Sequence, residues 1–261
     1  MHPYFHAPTP HLFGHRGASG ECPENTLPAF ERAAAHGVPF LETDCHATAD
    51  GELVLFHDAD VERTTNESGP IRERSWAEVQ KLDAGYRFSP DAGESFPFRG
   101  RGVQVPRLAE VLEAFPEHRI NLEIKQSDPP IVDEVIALLR RARALDRVLL
   151  AAEQDPVMEE VCKRDAGTAI GSSLSDAVAF FQALSEDRLD SFEPRGHALQ
   201  IPPEFMEDPL VTPESVAGVH RVGLVMHIWT INEPAEMRRL LDLGVDGLMS
   251  DFPGRLIEVA R

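Results

Sequence analysis

Short apolar runs alternate along the chain with longer stretches of helical spacing. The runs suit buried strands, because a strand that is covered on both faces is apolar almost without interruption. Eight such strands are predicted, at residues 11–15, 40–44, 121–125, 148–152, 168–172, 198–201, 224–230 and 247–250. Amphipathic helices are predicted between most of them, at residues 27–36, 108–115, 130–145, 156–165, 175–184 and 233–243. This alternation predicts an α/β protein, and we expect a (β/α)8 TIM barrel, although an open doubly wound sheet would show a similar rhythm.

A hairpin is predicted where the dipeptide Asp-Gly at 50–51 separates two half-apolar runs. Asp-Gly favours a two-residue turn of type I′, whose central residues need positive φ. With such a turn, Asp44 lies opposite His57, and Glu42 shares a face with Asp44 because strand side chains alternate. Residues 53–56 then form the antiparallel return of the second strand, outside the parallel barrel. The hairpin is expected to gather carboxylates beside an imidazole, although a solvated hairpin would have the same pattern.

The segment 60–106 interrupts the rhythm and is long for a barrel loop. It contains one short helical stretch, at 76–82, and a turn-rich stretch at 87–102. We therefore predict a small inserted subdomain over one face of the barrel. No low-complexity segment or linker divides the chain, so residues 1–261 are expected to form a single domain.

Charge and length narrow the possible partners. The 261 residues carry a formal net charge of −19, so we expect neither nucleic acid nor a stably bound membrane as a partner. The chain shows no signal-peptide pattern and no apolar run near the roughly 18 residues that a membrane span needs, so a soluble cytoplasmic protein is expected. Three distant cysteines, Cys22, Cys45 and Cys162, predict neither a disulfide framework nor a zinc site. A small-molecule partner is expected, and the oligomeric state is left open.

Polar or aromatic residues stand at the ends of the predicted strands and in the hairpin. They are His15, Arg16, Glu42, Asp44, His57, Glu123, Lys125, Gln200, Trp229 and Asp251. Several interrupt otherwise apolar runs, as in FLETD and INLEIK, and a charge buried in such a run must be paired or bound to a metal. Barrel enzymes place their active sites at the carboxyl ends of their strands. We therefore expect these side chains to meet at one mouth of the barrel.

Three carboxylates in this set predict a metal centre. Glu42, Asp44 and Glu123 offer oxygen ligands and leave positions for water and substrate oxygens. Such a set suits one hard divalent cation, Mg²⁺ or Ca²⁺, far better than zinc, which favours His and Cys.

The cations and histidines of the set suit the chemistry of a phosphate ester. Arg16 can hold a phosphate oxygen through its fork of donors, and Lys125 adds a point charge. His15 and His57 are candidates for a general base and a general acid, because histidine titrates near neutrality without perturbation. The pattern predicts phosphoryl transfer to water or to a neighbouring hydroxyl.

Other polar residues have simpler structural interpretations. The Glu-Asn-Thr segment at 24–26 precedes a predicted helix, where Asn or Thr can cap free N–H groups, so we interpret it as scaffolding. His2, His6 and His11 are expected at the surface. An aromatic residue at a strand end, such as Trp229, can belong to the core as well as to a site wall.

The sequence resembles the glycerophosphodiester phosphodiesterases through motifs that span nearly the whole chain. These motifs are HRGASGECPENTLPAF at 15–30, LETDCHATADGELVLFHD at 41–58, RTTN at 63–66, LDAG at 82–85, VPRLAEVL at 105–112, NLEIK at 121–125, IWTIN at 228–232 and GVDGLMSDFP at 244–253. The resemblance implies a (β/α)8 barrel with a small insertion after the hairpin and a divalent metal on Glu42, Asp44 and Glu123. It also implies that His15 and His57 form the acid–base pair that cleaves substrates such as glycerophosphocholine to glycerol 3-phosphate and an alcohol.

The resemblance has further implications for the substrate. It implies that Trp229 forms a wall of the site, and we expect Gln200, at the end of the sixth strand, to contact the substrate. It suggests a route in which the glycerol 2-hydroxyl attacks phosphorus first to give a cyclic phosphate, and direct attack by water stays open beside it. After the fourth strand the chain carries Glu153, in AAEQDP, where relatives commonly have a Ser-Phe-type pair. The preference for an alcohol group is therefore left open.

Two other functions fit parts of the pattern. A phospholipase-type barrel acting on lysophospholipids or phosphatidylinositol could share the histidines and the phosphate-binding arginine. It would need an exposed apolar rim, for which Phe88, Phe96 and Phe98 of the insertion are candidates. A non-catalytic barrel that binds phosphate esters is the alternative from another class. The presence of both histidines and all three carboxylates favours the enzyme, because a binding protein does not need two proton-transfer groups.

Overall fold

The computed structural model describes residues 1–261 and contains eleven strands. They are β1 (His11–Gly14), β2 (Phe40–Ala47), β3 (Leu53–Leu55), β4 (Arg119–Ile124), β5 (Val148–Ala151), β6 (Ala169–Ile170), β7 (Ala198–Ile201), β8 (Glu204–Phe205), β9 (Asp208–Pro209), β10 (Val225–Ile228) and β11 (Gly247–Ser250). Eight of them form a parallel barrel in the order β6-β5-β4-β2-β1-β11-β10-β7. Between β6 and β7 the His197 N–H donates to the Ile170 carbonyl oxygen (2.7 Å), so the barrel is nearly closed. The predicted (β/α)8 barrel is confirmed, with all eight predicted strands present.

Nine α-helices connect and surround the strands. They are α1 (Leu27–His36), α2 (Trp76–Val79), α3 (Leu108–Ala114), α4 (Val132–Arg141), α5 (Asp155–Arg164), α6 (Leu174–Ser185), α7 (Pro213–Arg221), α8 (Pro234–Asp242) and α9 (Pro253–Val259), with 3₁₀ turns at Pro3–Phe5, Ile71–Glu73, Leu145–Arg147 and Leu189–Ser191. The six predicted barrel helices are confirmed, whereas α7 and α9 are absent from the prediction. In α7, Gly218 is a poor helix former, and its missing Cβ admits the side chains of Leu184 and Leu189. None of the helices combines the length and the apolar composition that crossing a bilayer requires.

The hairpin of β2 and β3 is present, but its register differs by one residue from the prediction. Cys45 pairs with Leu55, and the Phe56 N–H donates to the Asp44 carbonyl oxygen (3.0 Å). Phe56 therefore lies opposite Asp44, and the predicted pairing of Asp44 with His57 is wrong. Because a one-residue slip turns every side chain to the other face, the hairpin register is not what brings His57 to the carboxylates.

A three-residue turn causes this shift in register. The Thr48 N–H donates to the Glu52 carbonyl oxygen (2.9 Å), which encloses residues 49–51. The Thr48 hydroxyl oxygen accepts a second bond, from the Glu52 N–H (2.9 Å), and Gly51 adopts a positive φ of 86°. The Thr48 side chain thus stabilises a longer turn, with glycine in the left-handed position that three-residue hairpin loops favour.

Aromatic side chains close the amino-terminal end of the barrel. The turn at Pro3–Phe5 places Tyr4 against Phe40, with 5.4 Å between ring centroids, and Phe13 packs against Phe40 in turn at 4.6 Å. We call the apolar cluster around these rings the barrel floor. It consists of Tyr4, Phe5, Phe13, Phe40, Leu149, Ala151, Ala169, Ala198, Val225 and Met249. The carboxyl ends of the strands are therefore the open mouth of the barrel.

Polar side chains cross the barrel interior as a second layer. His11 is buried, because the odd-numbered residues of β1 face inward, so its predicted surface position is wrong. Its Nδ1 lies 3.1 Å from Nε2 of His227. The amide nitrogen of Gln200 lies 3.2 Å from Nδ1 of His227 and donates to Oδ1 of Asn121 (2.8 Å). We call these four residues the polar layer.

The buried imidazoles are expected to make the protein less stable in acid. Burial, followed by the charge of His11, holds the pKa of His227 well below its usual value, and burial also lowers the pKa of His11. Below about pH 6.5 the unfolded chain then binds protons that the folded chain does not. Each of these histidines therefore lowers the free energy of unfolding by up to about 1.4 kcal/mol for every pH unit. Because the raised pKa of Glu42 acts in the opposite direction over the same range, the contribution of the imidazoles is measured as a difference between the wild type and a histidine variant, in urea titrations between about pH 6.5 and 5.5.

The variant His227→Gln tests the origin of this loss. Glutamine keeps a hydrogen-bonding amide but does not titrate, so the variant should lose about 1 kcal/mol less than the wild type between those pH values. His220→Gln removes an exposed histidine of α7 and is the control for a substitution outside the barrel interior. An unchanged pH dependence in His227→Gln would contradict the assignment.

The inserted segment has an apolar cluster separate from those of the barrel. The cluster consists of Val54, Phe56, Val61, Ile71, Val79, Leu82, Ala84, Val103 and Val105. Val54 and Phe56 belong to the hairpin, and the other members lie within 60–106. The insertion therefore packs onto the outer part of the hairpin.

The phenylalanines of the insertion do not form an exposed apolar rim. Phe88 and Phe98 pack edge to face, with 5.4 Å between their centroids. The Arg99 guanidinium lies over the ring of Phe96, 3.7 Å from its centroid. All three rings are half-buried.

The three cysteines of the chain are free, in agreement with the prediction that they form no disulfide framework.

Candidate active site

Three carboxylates converge where β2 and β4 lie side by side below the mouth. Asp44 pairs in register with Glu123 on the neighbouring strand, and Glu42 lies on the same face of β2. One oxygen of each side chain lies within 4.8 Å of the others. Glu42 (4% exposed) and Asp44 (1%) are buried, and Glu123 reaches the mouth. We call Glu42, Asp44 and Glu123 the carboxylate cluster, and the structure brings together the three acids that the sequence predicts as metal ligands.

Two cations flank the carboxylate cluster. Nζ of Lys125 lies 2.8 Å from Oε1 of Glu123 and 3.4 Å from Oδ1 of Asp44. Nε of Arg16 lies 3.4 Å from Oδ2 of Asp44, and the Arg16 main-chain N–H donates to Oε2 of Glu42 (2.8 Å). Burial, followed by the charge of Asp44, nevertheless raises the pKa of Glu42 to about 7. Burial and the neighbouring Asp44 carboxylate therefore disfavour the charged form of Glu42 even with these cations beside it.

The donor set fits a hard divalent cation. All three groups are carboxylates, which Mg²⁺ and Ca²⁺ prefer. The group contains neither histidine nor cysteine, the ligands that zinc favours. The raised pKa of Glu42 points the same way, because a dication would supply the charge that the buried acids lack.

His15 lies beside the carboxylate cluster and is held by Asp251. Its Nδ1 lies 2.7 Å from Oδ1 of Asp251, and its Nε2 lies 3.9 Å from Oε2 of Glu42. Burial acts to lower the pKa of His15, but the charge of Glu42 and the bond with Asp251 outweigh it and raise the pKa. The Asn232 amide and the Ser19 hydroxyl each lie 2.7 Å from the Asp251 carboxylate. Asp251 is therefore fixed, and it turns Nε2 of the imidazole toward the cluster.

His57 follows β3 and is held in a similar way. Its Nδ1 lies 2.6 Å from Oδ1 of Asp58, and its side chain is half-buried. Nε2 of His46, on β2, lies 3.2 Å from the His57 carbonyl oxygen, and the preceding N–H, of Phe56, binds the Asp44 carbonyl. These contacts to β2, and not the predicted register, hold His57, and ion pairs that run from Asp58 through Arg63 and Glu24 to Arg16 connect it to the mouth.

Asn25 contacts the carboxylate cluster, which the capping interpretation does not predict. Its amide nitrogen donates to Oδ2 of Asp44 (2.9 Å), and its Oδ1 accepts a bond from the Thr43 hydroxyl (2.7 Å). The Thr26 hydroxyl donates to the Pro23 carbonyl oxygen (2.6 Å) and does not cap α1. The interpretation of residues 24–26 as a cap is therefore wrong, because Asn25 orients a candidate ligand.

Trp229 and Gln200 lie at different depths. Trp229 follows β10, its N–H donates to the Ile201 carbonyl oxygen (3.2 Å), and the residue is 40% exposed at the mouth. Gln200 belongs to the polar layer and makes no hydrogen bond to the carboxylate cluster. The structure thus brings Trp229 to the mouth, while a contact between Gln200 and a substrate stays a prediction.

The arrangement combines three capacities at one mouth. The carboxylate cluster suits a cation, and Arg16 and Lys125 suit phosphate oxygens. His15 and His57 each have Nδ1 beside a carboxylate, which leaves Nε2 to exchange a proton with a reacting group. Such a site can hold an anionic ester and move protons to and from its oxygens.

A family of known proteins shares this pattern and this fold. The sequence profile of the glycerophosphoryl diester phosphodiesterase family matches residues 15–255. A glycerophosphodiester phosphodiesterase from Caldanaerobacter subterraneus subsp. tengcongensis is 31% identical over 257 residues, which cover 96% of this chain and 97% of the relative. Similar folds occur in the glycerophosphoryl diester phosphodiesterase domain of a Mycobacterium tuberculosis protein (TM-score 0.85, 20% identity, 97% and 100% of the two chains) and in an Oleispira antarctica phosphodiesterase in complex with the product sn-glycerol-3-phosphate (TM-score 0.76, 24% identity, 97% of each chain). The chain therefore belongs to the glycerophosphoryl diester phosphodiesterase family of enzymes.

Proposed function

We propose that this chain hydrolyses glycerophosphodiesters, such as glycerophosphocholine, to sn-glycerol 3-phosphate and an alcohol. The observation that carries the proposal is the carboxylate cluster at the mouth, with Nε2 of His15 3.9 Å from Glu42. Family membership supports the class of reaction. The similar Oleispira antarctica phosphodiesterase is bound to the product sn-glycerol-3-phosphate, which makes this product the one to test.

One divalent cation, Mg²⁺ or Ca²⁺, is proposed to bind Glu42, Asp44 and Glu123. When bound, it polarises the phosphate as a Lewis acid and offsets the charge of the buried acids. Arg16 and Lys125, both within 3.4 Å of Asp44, are proposed to hold the phosphate oxygens beside it. Arg16 offers a planar fork of donors and Lys125 a point charge, so together they fix both the orientation and the position of the phosphate.

His15 and His57 are proposed to exchange protons with the reacting oxygens. Asp251 and Asp58 hold their respective Nδ1 atoms, which leaves Nε2 of each ring for proton transfer. One imidazole takes the proton of the attacking hydroxyl, which belongs either to water or to the glycerol moiety. The other gives a proton to the departing alcohol oxygen.

The surroundings of the site complete the proposal. Trp229 is proposed to form one wall of the mouth, and Gln200 to contact the substrate from the polar layer. Residues 60–106 are proposed to form a small subdomain within a single catalytic domain of residues 1–261, which their separate apolar cluster supports. Because the phenylalanines of this insertion are half-buried, the phospholipase-type alternative lacks the apolar rim it would need there.

A product assay tests the proposed function. Glycerophosphocholine, glycerophosphoethanolamine, glycerophosphoinositol and a lysophospholipid are each incubated with the protein, with and without EDTA, and the released products are quantified. We expect sn-glycerol 3-phosphate from the glycerophosphodiesters. Cleavage of the lysophospholipid alone would instead support the phospholipase-type alternative. Failure to cleave any of the four would overturn the proposal.

A further inference from the structure

We propose that Arg63 is a positioning residue whose guanidinium holds His57 and Asp58 in place relative to the carboxylate cluster. The inference rests on the proposed function, in which His57 transfers a proton. Arg63 is the first residue of the RTTN motif at 63–66. The metal-binding, phosphate-binding and proton-transfer roles proposed above do not include it.

Arg63 connects two sides of the mouth through four hydrogen bonds. On one side, Nε donates to Oδ2 of Asp58 (2.5 Å), and Nη2 donates to Oδ1 (3.3 Å). On the other side, Nη1 and Nη2 donate to the two carboxylate oxygens of Glu24, at 2.7 and 2.6 Å. Paired bonds of this kind fix the plane of a guanidinium as well as its distance from each carboxylate.

Each carboxylate bound by this guanidinium makes a second contact closer to the proposed chemistry. Asp58 holds Nδ1 of His57 at 2.6 Å. Oε1 of Glu24 accepts a bond from Nη1 of Arg16 (3.0 Å), and Nε of Arg16 lies 3.4 Å from Oδ2 of Asp44. These groups form a continuous ion-pair chain: His57, Asp58, Arg63, Glu24, Arg16 and Asp44. The imidazole is thereby tied to a proposed metal ligand.

The electrostatic balance of the ion-pair chain depends on Arg63. Burial acts to raise the pKa of Glu24, but the bond from Arg63 and the charge of Arg16 outweigh it and lower the pKa. The pKa of Asp58 is also lowered, because its bonds to Arg63 and His57 outweigh the effect of burial. Loss of the guanidinium would leave both carboxylates without their shared partner, and Asp58 would no longer be held against His57.

The same contacts argue against a role for Arg63 in binding the phosphate. A guanidinium has five N–H groups, and four hydrogen bonds already lead to Asp58 and Glu24. Little donor capacity is left for a substrate oxygen. We therefore expect Arg63 to affect kcat, through His57, and to leave KM nearly unchanged.

The variant Arg63→Gln tests this expectation. Its kcat for glycerophosphocholine should fall by about 10- to 100-fold, the range typical for loss of an outer-shell orienting group, with KM changed less than about threefold. Arg63→Lys keeps the charge but not the fork, so it should recover part of kcat. The matched control is Arg239→Gln, because Arg239 is equally exposed (48%) and pairs with Glu236 through two hydrogen bonds on the outside of the barrel. A raised KM with an unchanged kcat would overturn the proposal.

A double-mutant cycle with His57→Ala separates this inference from the proposed function. All rates are referred to the folded fraction, measured by circular dichroism. Arg63→Gln should lower kcat in the wild-type background and have almost no effect in the His57→Ala background, because it acts through that imidazole. An equal loss in both backgrounds would overturn the inference while His57 keeps its role. A near-normal rate of His57→Ala alone would reject the proposed role of His57 itself.

Histidine side-chain NMR gives a readout that does not depend on turnover. In the wild type and in Arg239→Gln, we expect His57 to hold a single tautomer, with the proton on Nδ1 facing Asp58. In Arg63→Gln a mixture of tautomers is expected. Identical His57 signals in the two arginine variants would contradict the positioning role.

Discussion

Replacing His15 with alanine is expected to lower kcat for glycerophosphocholine by about 10²-fold or more, the loss typical of a missing general acid or base. Asp251 holds Nδ1 of this imidazole at 2.7 Å, so the other ring nitrogen faces Glu42 and the proposed reacting phosphate. Alanine removes the only titratable atoms of the side chain and leaves Asp251 without its imidazole. Initial rates at saturating substrate measure the effect, and His57→Ala should show a loss of similar size.

The control for this prediction is His220→Ala. His220 also binds a carboxylate, since its Nε2 lies 2.8 Å from Oδ2 of Asp246, but the pair lies on the outside of the barrel. The control should therefore keep the wild-type rate. A near-normal rate of His15→Ala would reject the role of His15 in proton transfer.

Chelation is expected to abolish turnover, and addition of Mg²⁺ or Ca²⁺ to restore it. Oxygens of Glu42, Asp44 and Glu123 lie within 4.8 Å of one another, and burial already raises the pKa of Glu42 to about 7. An anionic substrate would add further negative charge at the same place, so a dication should be essential for binding it there. Activity is measured after dialysis against EDTA and then during titration with each metal.

The variant Asp44→Asn examines the same metal site without substrate. Calorimetric titration should show one Mg²⁺ or Ca²⁺ site in the wild type and a large loss of affinity in the variant, because one charged ligand has become neutral. Asp133→Asn removes an exposed acid that pairs with Arg164, and it should bind the metal as the wild type does. Turnover that persists in EDTA would contradict the metal role and favour the phospholipase-type alternative.

Much of the fold is predictable because burial leaves a regular pattern in the sequence. A strand covered on both faces, such as Val148–Ala151, is apolar throughout, whereas the amphipathic helix Leu27–His36 has the bounds that its spacing predicts. Parallel strands also bring their carboxyl ends to one mouth. Strand ends are therefore enough to predict that Asp44 and Glu123 meet, and the structure places them side by side.

The features that could not be predicted depend on single side-chain bonds or on distant contacts. One bond to the Thr48 hydroxyl accompanies a longer turn and shifts the hairpin by a residue. Asp251 lies 236 residues from His15, and no local pattern pairs them. Asn25 precedes a helix as a cap would, but its amide binds Asp44. These contacts depend on how loops pack against one another in the folded chain. Hydrophobic periodicity gives no information about that packing.

The rings of Tyr4 and Phe40 seal the far end of the barrel. Molecules that react at the mouth must therefore enter and leave through the same open end of the barrel. Under the proposed function, the diester, water, the alcohol and glycerol phosphate share this single opening, so each cycle ends with both products in the opening that the next substrate needs.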